Sequence, residues 1–306
     1  MTPLLQVEGL TKRFKERTVV NGISFSVDEG SCAALLGPNG AGKTTTISML
    51  AGLLQPTKGS IQLLHSGRPV SDHRPYIGYL PQMPVFYPWM SGKEFLSYTG
   101  ELAGLSTREA ALKTGEWLEA VGLGNEGKRK IGGYSGGMKQ RLGLAQALIH
   151  RPKLLILDEP VSALDPAGRK DVLSLLRRIR RETTVLFSTH VLHDAEEICD
   201  EILMIKAGEI ALQGSLDHIR KEYSEPVILL EVGGEKASRE WLASVGSKTF
   251  VLQAEIAGTR AELTVADVEQ ASQELMKDAV AHHVFFRKFE SGQSTLEDLF
   301  MKVVQA

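Results

Sequence analysis

The sequence predicts an α/β protein: a mostly parallel sheet with a helical insertion, followed by a small α+β domain. Three observations predict it. A strand-like run, SCAALLG, delivers the chain into a glycine-rich loop that opens a helical segment. Two short, continuously apolar runs, LLILD (154–158) and TVLFSTH (184–190), have the composition of strands buried on both faces, as in a parallel sheet. Beyond residue 224 the pattern changes to the order βαββαβ, the ferredoxin-like arrangement.

Taken in order, LLQVEGL and TVVNGISFSV read as strands, being apolar and β-branched runs broken by Gly, Asp and Lys. SCAALLG is the third strand, and TTTISMLAGL after the glycine loop is helical. Residues 91–149 switch to helical periodicity in SGKEFLSYTGELAGL, TREAALKTGEWLEAVG and GGMKQRLGLAQALI, which defines a helical subdomain of about 84–150. The helical GRKDVLSLLRRIRRE separates the two buried strands. A boundary near Ser224–Pro226 gives domains of 1–224 and 225–306, in keeping with a length of 306 residues. In the second domain PVILLEV is a strand and KASREWLASVG a helix. KTFVLQAEI and TRAELTV pair around Gly258, DVEQASQELMKDAV is helical and HHVFFRKFE is a strand. STLEDLFMKVV forms a closing helix with Ser294 as its N-cap.

Composition narrows the function classes. With 42% hydrophobic and 24% charged residues the chain is an ordinary globular protein. A net charge of −2 argues against a dedicated nucleic-acid binder, which carries a basic surplus. The two cysteines, Cys32 and Cys199, sit among apolar residues and read as small buried thiols of a reducing compartment. MTPLLQVEGLTKRF has no uninterrupted apolar run after a basic start, so a signal peptide is not expected. No run approaches the roughly 18 apolar residues of a membrane span, so work at a membrane needs another protein as anchor.

The glycine loop carries the chemistry. GPNGAGKT fits G-x-x-x-x-G-K-[ST] between a strand and a helix, the context of a phosphate-binding P-loop. Gly37, Pro38, Asn39, Gly40, Ala41 and Gly42 would turn backbone N–H groups onto a β-phosphate, with Thr45 in the following turn. Lys43 would reach the β- and γ-phosphates, and the Thr44 hydroxyl would ligate Mg²⁺. LLILDEP pushes Asp158 and Glu159 out at the carboxyl end of a buried strand, where ligands bind in open α/β sheets. Asp158 suits the Mg²⁺ shell, and Glu159 suits orienting and deprotonating an attacking water. An Asp-Glu pair alone is often a solvated turn; the P-loop makes the catalytic reading the better one. Ser135, Gly136 and Gly137 in YSGGM offer a hydroxyl and free amides at the start of a helix, a second anion site in the same chain.

In the order YSGGMKQRL, LLILDEP, SALDP and FSTH, the chain resembles the ATP-binding subunit of an ABC transporter over about residues 4–215. The resemblance implies an ATPase with ATP and Mg²⁺ as ligands, GPNGAGKTT as Walker A and LLILDEP as Walker B. It implies that YSGGM is the signature, departing from the commoner LSGGQ at Tyr134 and Met138 but keeping the serine and both glycines. It makes Gln82 of YLPQ the Q-loop glutamine watching Mg²⁺ and water, Asp165 the D-loop aspartate, and His190 a γ-phosphate contact. It places Phe14 of TKRF where an aromatic ring stacks on adenine. Such ATPases are head-to-tail dimers, so each Ser135–Gly137 segment would close over ATP held by the partner copy's Lys43 loop. The partners implied are a separate integral membrane permease and a second ATPase subunit, with no nucleic acid, at the cytoplasmic face of the cell membrane. STLEDLFMKV and YSGGM resemble the bacterial drug- and antibiotic-export branch; an importer ATPase and a non-transport ATPase on ribosomes or DNA are the alternatives. MPVFYPWM (83–90) is either core of the insertion or a groove for a permease helix, and His193, His282 and His283 have no chemical context.

Overall fold

The continuous apolar runs gather at the middle of one sheet. The computed structural model describes residues 2–162, 164–223, 225–293, 296–297 and 299–300. β1 (Pro3–Phe14), β2 (Arg17–Asp28), β3 (Cys32–Leu36), α1 (Lys43–Leu50), β4 (Lys58–His65), β5 (Arg68–Pro69) and β6 (Ile77–Leu80) lead into the insertion of α2 (Gly92–Leu102), α3 (Thr107–Ala120) and α4 (Gly136–Leu148). The chain returns through β7 (Leu154–Asp158), α5 (Pro166–Ile179), β8 (Thr184–Thr189), α6 (Leu192–Ile198), β9 (Glu201–Lys206) and β10 (Glu209–Ser215). Then follow α7 (Leu216–Tyr223), β11 (Pro226–Val232), α8 (Lys236–Val245), β12 (Val251–Ala257), β13 (Arg260–Val265), α9 (Val268–Ala281) and β14 (Phe286–Gln293). Contacts divide the chain between Leu216 and Asp217 into two compact units. That point lies at the head of α7, ahead of the linker expected at 224–226, and Ser224 is outside the described residues.

In the first unit the central sheet has the order β10-β9-β3-β8-β7-β6, parallel except for β10 at its edge. Every residue of β3, β7 and β8 is buried, as strands covered on both faces must be. A second, antiparallel sheet has the order β2-β1-β4-β5. α1 shares one core with both: Ile47, Met49 and Leu50 lie with Leu5, Val20 and Phe25 and with Leu35, Ile156 and Leu186. Each such side chain contributes about 1.5–3 kcal/mol by leaving water, so the helix that follows the glycine loop is held firmly. The insertion is begun by two capping boxes, Ser91 with Glu94 and Ser106 with Glu109. The Ser91 backbone amide, bonded to the Glu94 carboxylate, is the main reason its pKa falls to about 2. Cys32 and Cys199 are buried free thiols with their sulfurs 3.6 Å apart.

β4, β6 and the hairpin β9–β10 extend the sheets beyond the strands the sequence predicts; the hairpin turns at Ala207 and Gly208, with φ of 49° and 86°. In the second unit all pairings are antiparallel, in the order β12-β13-β11-β14, which is the ferredoxin-like order. α8 and α9 supply Trp241, Leu242, Val245, Ala271 and Leu275 to a core with Ile228, Leu230, Leu263 and Val265 of the sheet. β14 begins at Phe286 rather than at the histidines, because α9 runs to Ala281 and His283 turns at φ 54°. Of the expected closing helix, 296–297 and 299–300 are helical, while Ser294 and 301–306 lie outside the described residues. No helix among the described residues is long and apolar enough to cross a membrane.

Candidate active site

The register of the parallel strands assembles the site. Leu80 pairs with Leu157, Asp158 with Ser188, and Leu36 with Thr189. Strand ends so aligned bring Gln82 after β6, Glu159 after β7, His190 after β8 and the glycine loop after β3 to one carboxyl edge, where α/β sheets bind ligands.

The loop's shape needs its glycines. Gly40 and Gly42 stand at φ 81° and 109°. A Cβ on Gly42 would come within 2.8 Å of the Val19 carbonyl oxygen, and one on Gly37 would run into the Ile205 carbonyl. Gly208 of the β9–β10 turn donates its amide to the Ala41 carbonyl at 3.0 Å and so braces the loop from outside. Pro38 is half-buried and Asn39 and Gly40 are exposed, while Ala41, Gly42 and Lys43 are buried. Lys43 Nζ donates to the carbonyls of Gly37 at 2.8 Å and Pro38 at 3.2 Å, and lies 3.5 Å from Glu159 Oε1.

Glu159 is the hub. Its Oε1 is also 3.3 Å from His190 Nδ1, and its Oε2 accepts from Gln82 Nε2 at 3.2 Å. The residue stands at φ 45°, a left-handed conformation that costs a non-glycine residue about 1–2 kcal/mol. Its amide donates to Ser188 Oγ at 3.0 Å, which holds it there. Asp158, 1% exposed, accepts at Oδ1 from Ser188 Oγ at 2.6 Å and Thr44 Oγ1 at 3.2 Å. Next to them Tyr79 has its phenol pKa raised, first by burial and then by the Asp158 charge, so it stays protonated.

The structure thus joins Lys43, Thr44, Gln82, Asp158, Glu159 and His190 in one group linked by hydrogen bonds and ion pairs. Ser135, Gly136 and Gly137 share no hydrogen bond or ion pair with that group among the described residues. Ser135 caps α4, its Oγ accepting from the Met138 amide at 3.2 Å, and a Cβ on Gly137 would meet Leu164 at 3.3 Å. Phe14 is 46% exposed at the end of β1, with Lys12 Nζ 5.1 Å over its ring. Thr45 is half-buried in α1. Asp165 caps α5 by accepting from the Gly168 amide at 2.9 Å, and Ala163 of SALDP lies outside the described residues.

Residues 20–162 match the family model described as ABC transporter, and residues 214–304 match that of an ATP-binding protein DrrA1-3-like, C-terminal domain. The uncharacterized ABC transporter ATP-binding protein YxlF of Bacillus subtilis (strain 168) is 47% identical over 99% of this chain and 100% of its own. The chain belongs to the ABC transporter ATP-binding family. The linearmycin resistance ATP-binding protein LnrL of the same organism is 34% identical over 98% of each chain. A solved ATP-binding subunit of an ABC transporter superposes with a TM-score of 0.65 at 32% identity, covering 72% of this chain and 93% of that one. This ABC subunit is therefore an ATPase.

The parts fit Mg²⁺-ATP. The loop is a cradle that a single Cβ at Gly37 or Gly42 would obstruct, and Thr44 and Asp158 present hard oxygen ligands, the donors Mg²⁺ takes. When bound, the ion would screen the phosphate charge. Around it the Lys43 ammonium offers a positive charge to a phosphate, Gln82 and His190 lie against the Glu159 carboxylate, and a carboxylate so held is able to take a proton from water. Two participants were not evident from sequence. Ser188 ties Asp158 to Glu159 across two strands. Tyr134, 5% exposed, donates its hydroxyl to the Glu126 carbonyl at 2.8 Å and lies against Gly92, anchoring the segment before Ser135. Ser188→Ala should leave the buried Glu159 amide without its acceptor and Asp158 Oδ1 with Thr44 as its remaining donor, at a cost of about 1–3 kcal/mol. Denaturant unfolding should register that loss, and steady-state ATPase assays a lower turnover.

Proposed function

We propose that this protein powers export of an amphipathic compound, of the antibiotic or drug class, through a separate membrane permease. It would work as a head-to-tail dimer at the cytoplasmic face of the membrane. In each composite site Lys43 and the amides of residues 37–45 grip the ATP phosphates. Thr44, Asp158 and Gln82 attend Mg²⁺, Glu159 is the base, and His190 contacts the γ-phosphate. Ser135, Gly136 and Gly137 of the second copy close the site, with Phe14 against adenine. The observation that carries this reading is the separation of two phosphate-binding devices in one chain. Ser135 Oγ accepts from a helix amide, and among the described residues no hydrogen bond or ion pair links it to the Lys43 group.

Magnitudes agree with a switch. Moving a two-state equilibrium from 1:99 to 99:1 takes about 5.5 kcal/mol. Charge-assisted hydrogen bonds are worth about 1.5–3 kcal/mol each, so two to four from Ser135, neighbouring amides and His190 suffice. Export is favoured over import by the likeness to the linearmycin resistance ATP-binding protein and to a Nod factor export ATP-binding protein of Ralstonia nicotianae, 34% identical over 99% of this chain and 94% of its own; the second unit we assign an accessory role in dimerisation or its regulation. The permease contact is placed after Gln82, where Met83, Val85 and Trp89 are 82%, 88% and 67% exposed while Phe86 packs on Phe95 at 5.0 Å.

Ser135→Arg should leave ATP binding by monomers intact and stop turnover. Mixed with a Lys43→Ala chain it should recover activity at one composite site per dimer. Mixtures silent at every ratio would remove the trans arrangement. Co-purification from membranes with an apolar protein of several spans tests the transport half.

A further inference from the structure

We propose that Arg169 and Asp194 are positioning residues for hydrolysis, locking the turn that carries His190 to the segment that ends at Asp165. The proposal rests on the assignment of Glu159 and His190 to the reaction centre. Three successive residues leave β8 with their polar groups pointing to three different partners. Ser188 meets Asp158 and His190 meets Glu159, as above. Thr189 Oγ1 accepts from the Val191 amide at 3.0 Å and lies 3.4 Å from Asp194 Oδ2. Thr189 thus stiffens the turn on both sides of His190.

Asp194, in the first turn of α6, is wholly buried. A carboxylate taken out of water needs a charged partner with fixed geometry. Arg169, near the start of α5, provides it, with Nε at 2.8 Å and Nη2 at 2.6 Å from Asp194 Oδ1. The same helix is capped by Asp165. One ion pair, with its carboxylate buried and its guanidinium half-buried, therefore joins the beginnings of α5 and α6, and with them Asp165 and His190. The reaction does not touch either residue; their effect passes through the His190 turn. Leu164 lies next to Gly137 of its own chain, so in the dimer proposed above Asp165 follows a residue that packs on the chain's own signature, which faces the ATP held by the partner's Lys43 loop. The link would then let closure of the clamp set the orientation of the group that senses it.

The guanidinium fork is directional in a way an ammonium is not, which supplies the test. Arg169→Ala should lower kcat tenfold or more and leave the Kd for ATP, measured by titration of the full chain, within twofold of the parent. Arg169→Lys should recover part of the kcat. The double variant Arg169→Ala/His190→Ala should be no slower than His190→Ala alone. A melting temperature that falls while kcat per nucleotide-binding molecule stays within twofold would overturn the proposal, as would losses that simply multiply in the double variant. Should Glu159→Gln and His190→Ala both turn over normally, the assignment of the centre fails instead, and the kinetics separate that outcome from failure of the link alone.

Discussion

Replacing Glu159 by glutamine is expected to slow ATP hydrolysis about 10²–10⁴-fold, the range a positioned general base contributes, while ATP still binds. The substitution suits the site. Glutamine is isosteric, keeps the hydrogen bond to Gln82 and retains the amide bond to Ser188 that holds the left-handed turn. It removes the charge that Lys43 and His190 face at 3.5 and 3.3 Å. Single-turnover assays would follow hydrolysis, and size exclusion with ATP would show accumulation of a nucleotide-loaded dimer. Normal hydrolysis by this variant would take the role of base away from Glu159.

Lys43→Ala should have the second large effect, weakening ATP binding by about 10- to 10⁴-fold. One or two charge-assisted bonds to phosphate are lost, at about 1.5–3 kcal/mol each, and about 1.4 kcal/mol is a factor of ten. The variant should also unfold more easily. Lys43 and Glu159 are 5% and 10% exposed, and breaking a buried pair by deleting one partner costs about 3–5 kcal/mol because a charge is left uncompensated. Adding Glu159→Gln to Lys43→Ala should therefore restore stability without restoring affinity. Thermal melts report the first half and nucleotide titrations the second. Tight ATP binding by folded Lys43→Ala would contradict the phosphate-loop assignment.

The groups that were legible in the sequence are those whose chemistry depends on neighbours in the chain. A phosphate cradle needs contiguous amides, so GPNGAGKT announces itself, and LLILDEP does the same for a strand that ends in two carboxylates. Residues that act through distant partners leave no such mark. Ser188 reaches Asp158 from 30 residues away and Arg169 reaches Asp194 from 25. Both look like ordinary polar residues until the strand register and the helix starts bring them together. Tyr134 reads as a departure from the commoner signature, but its ring fills the space above Gly92, which a side chain there would occupy. Among the elements, the edge strand β10 escapes because its residues alternate between half-buried and exposed and include Gly214. α7 escapes because LDHIRKEY is short and polar for a helix. The domain order survives these omissions because the apolar runs of β3, β7 and β8 carry the sheet.

The φ of 45° at Glu159 sets the protein's robustness against its purpose. Glycine would occupy that corner without steric penalty, so a search for hardier variants would be drawn to replace the carboxylate we propose as the base. The chain carries the less comfortable residue, and any programme to toughen this ATPase must hold position 159 out of its library.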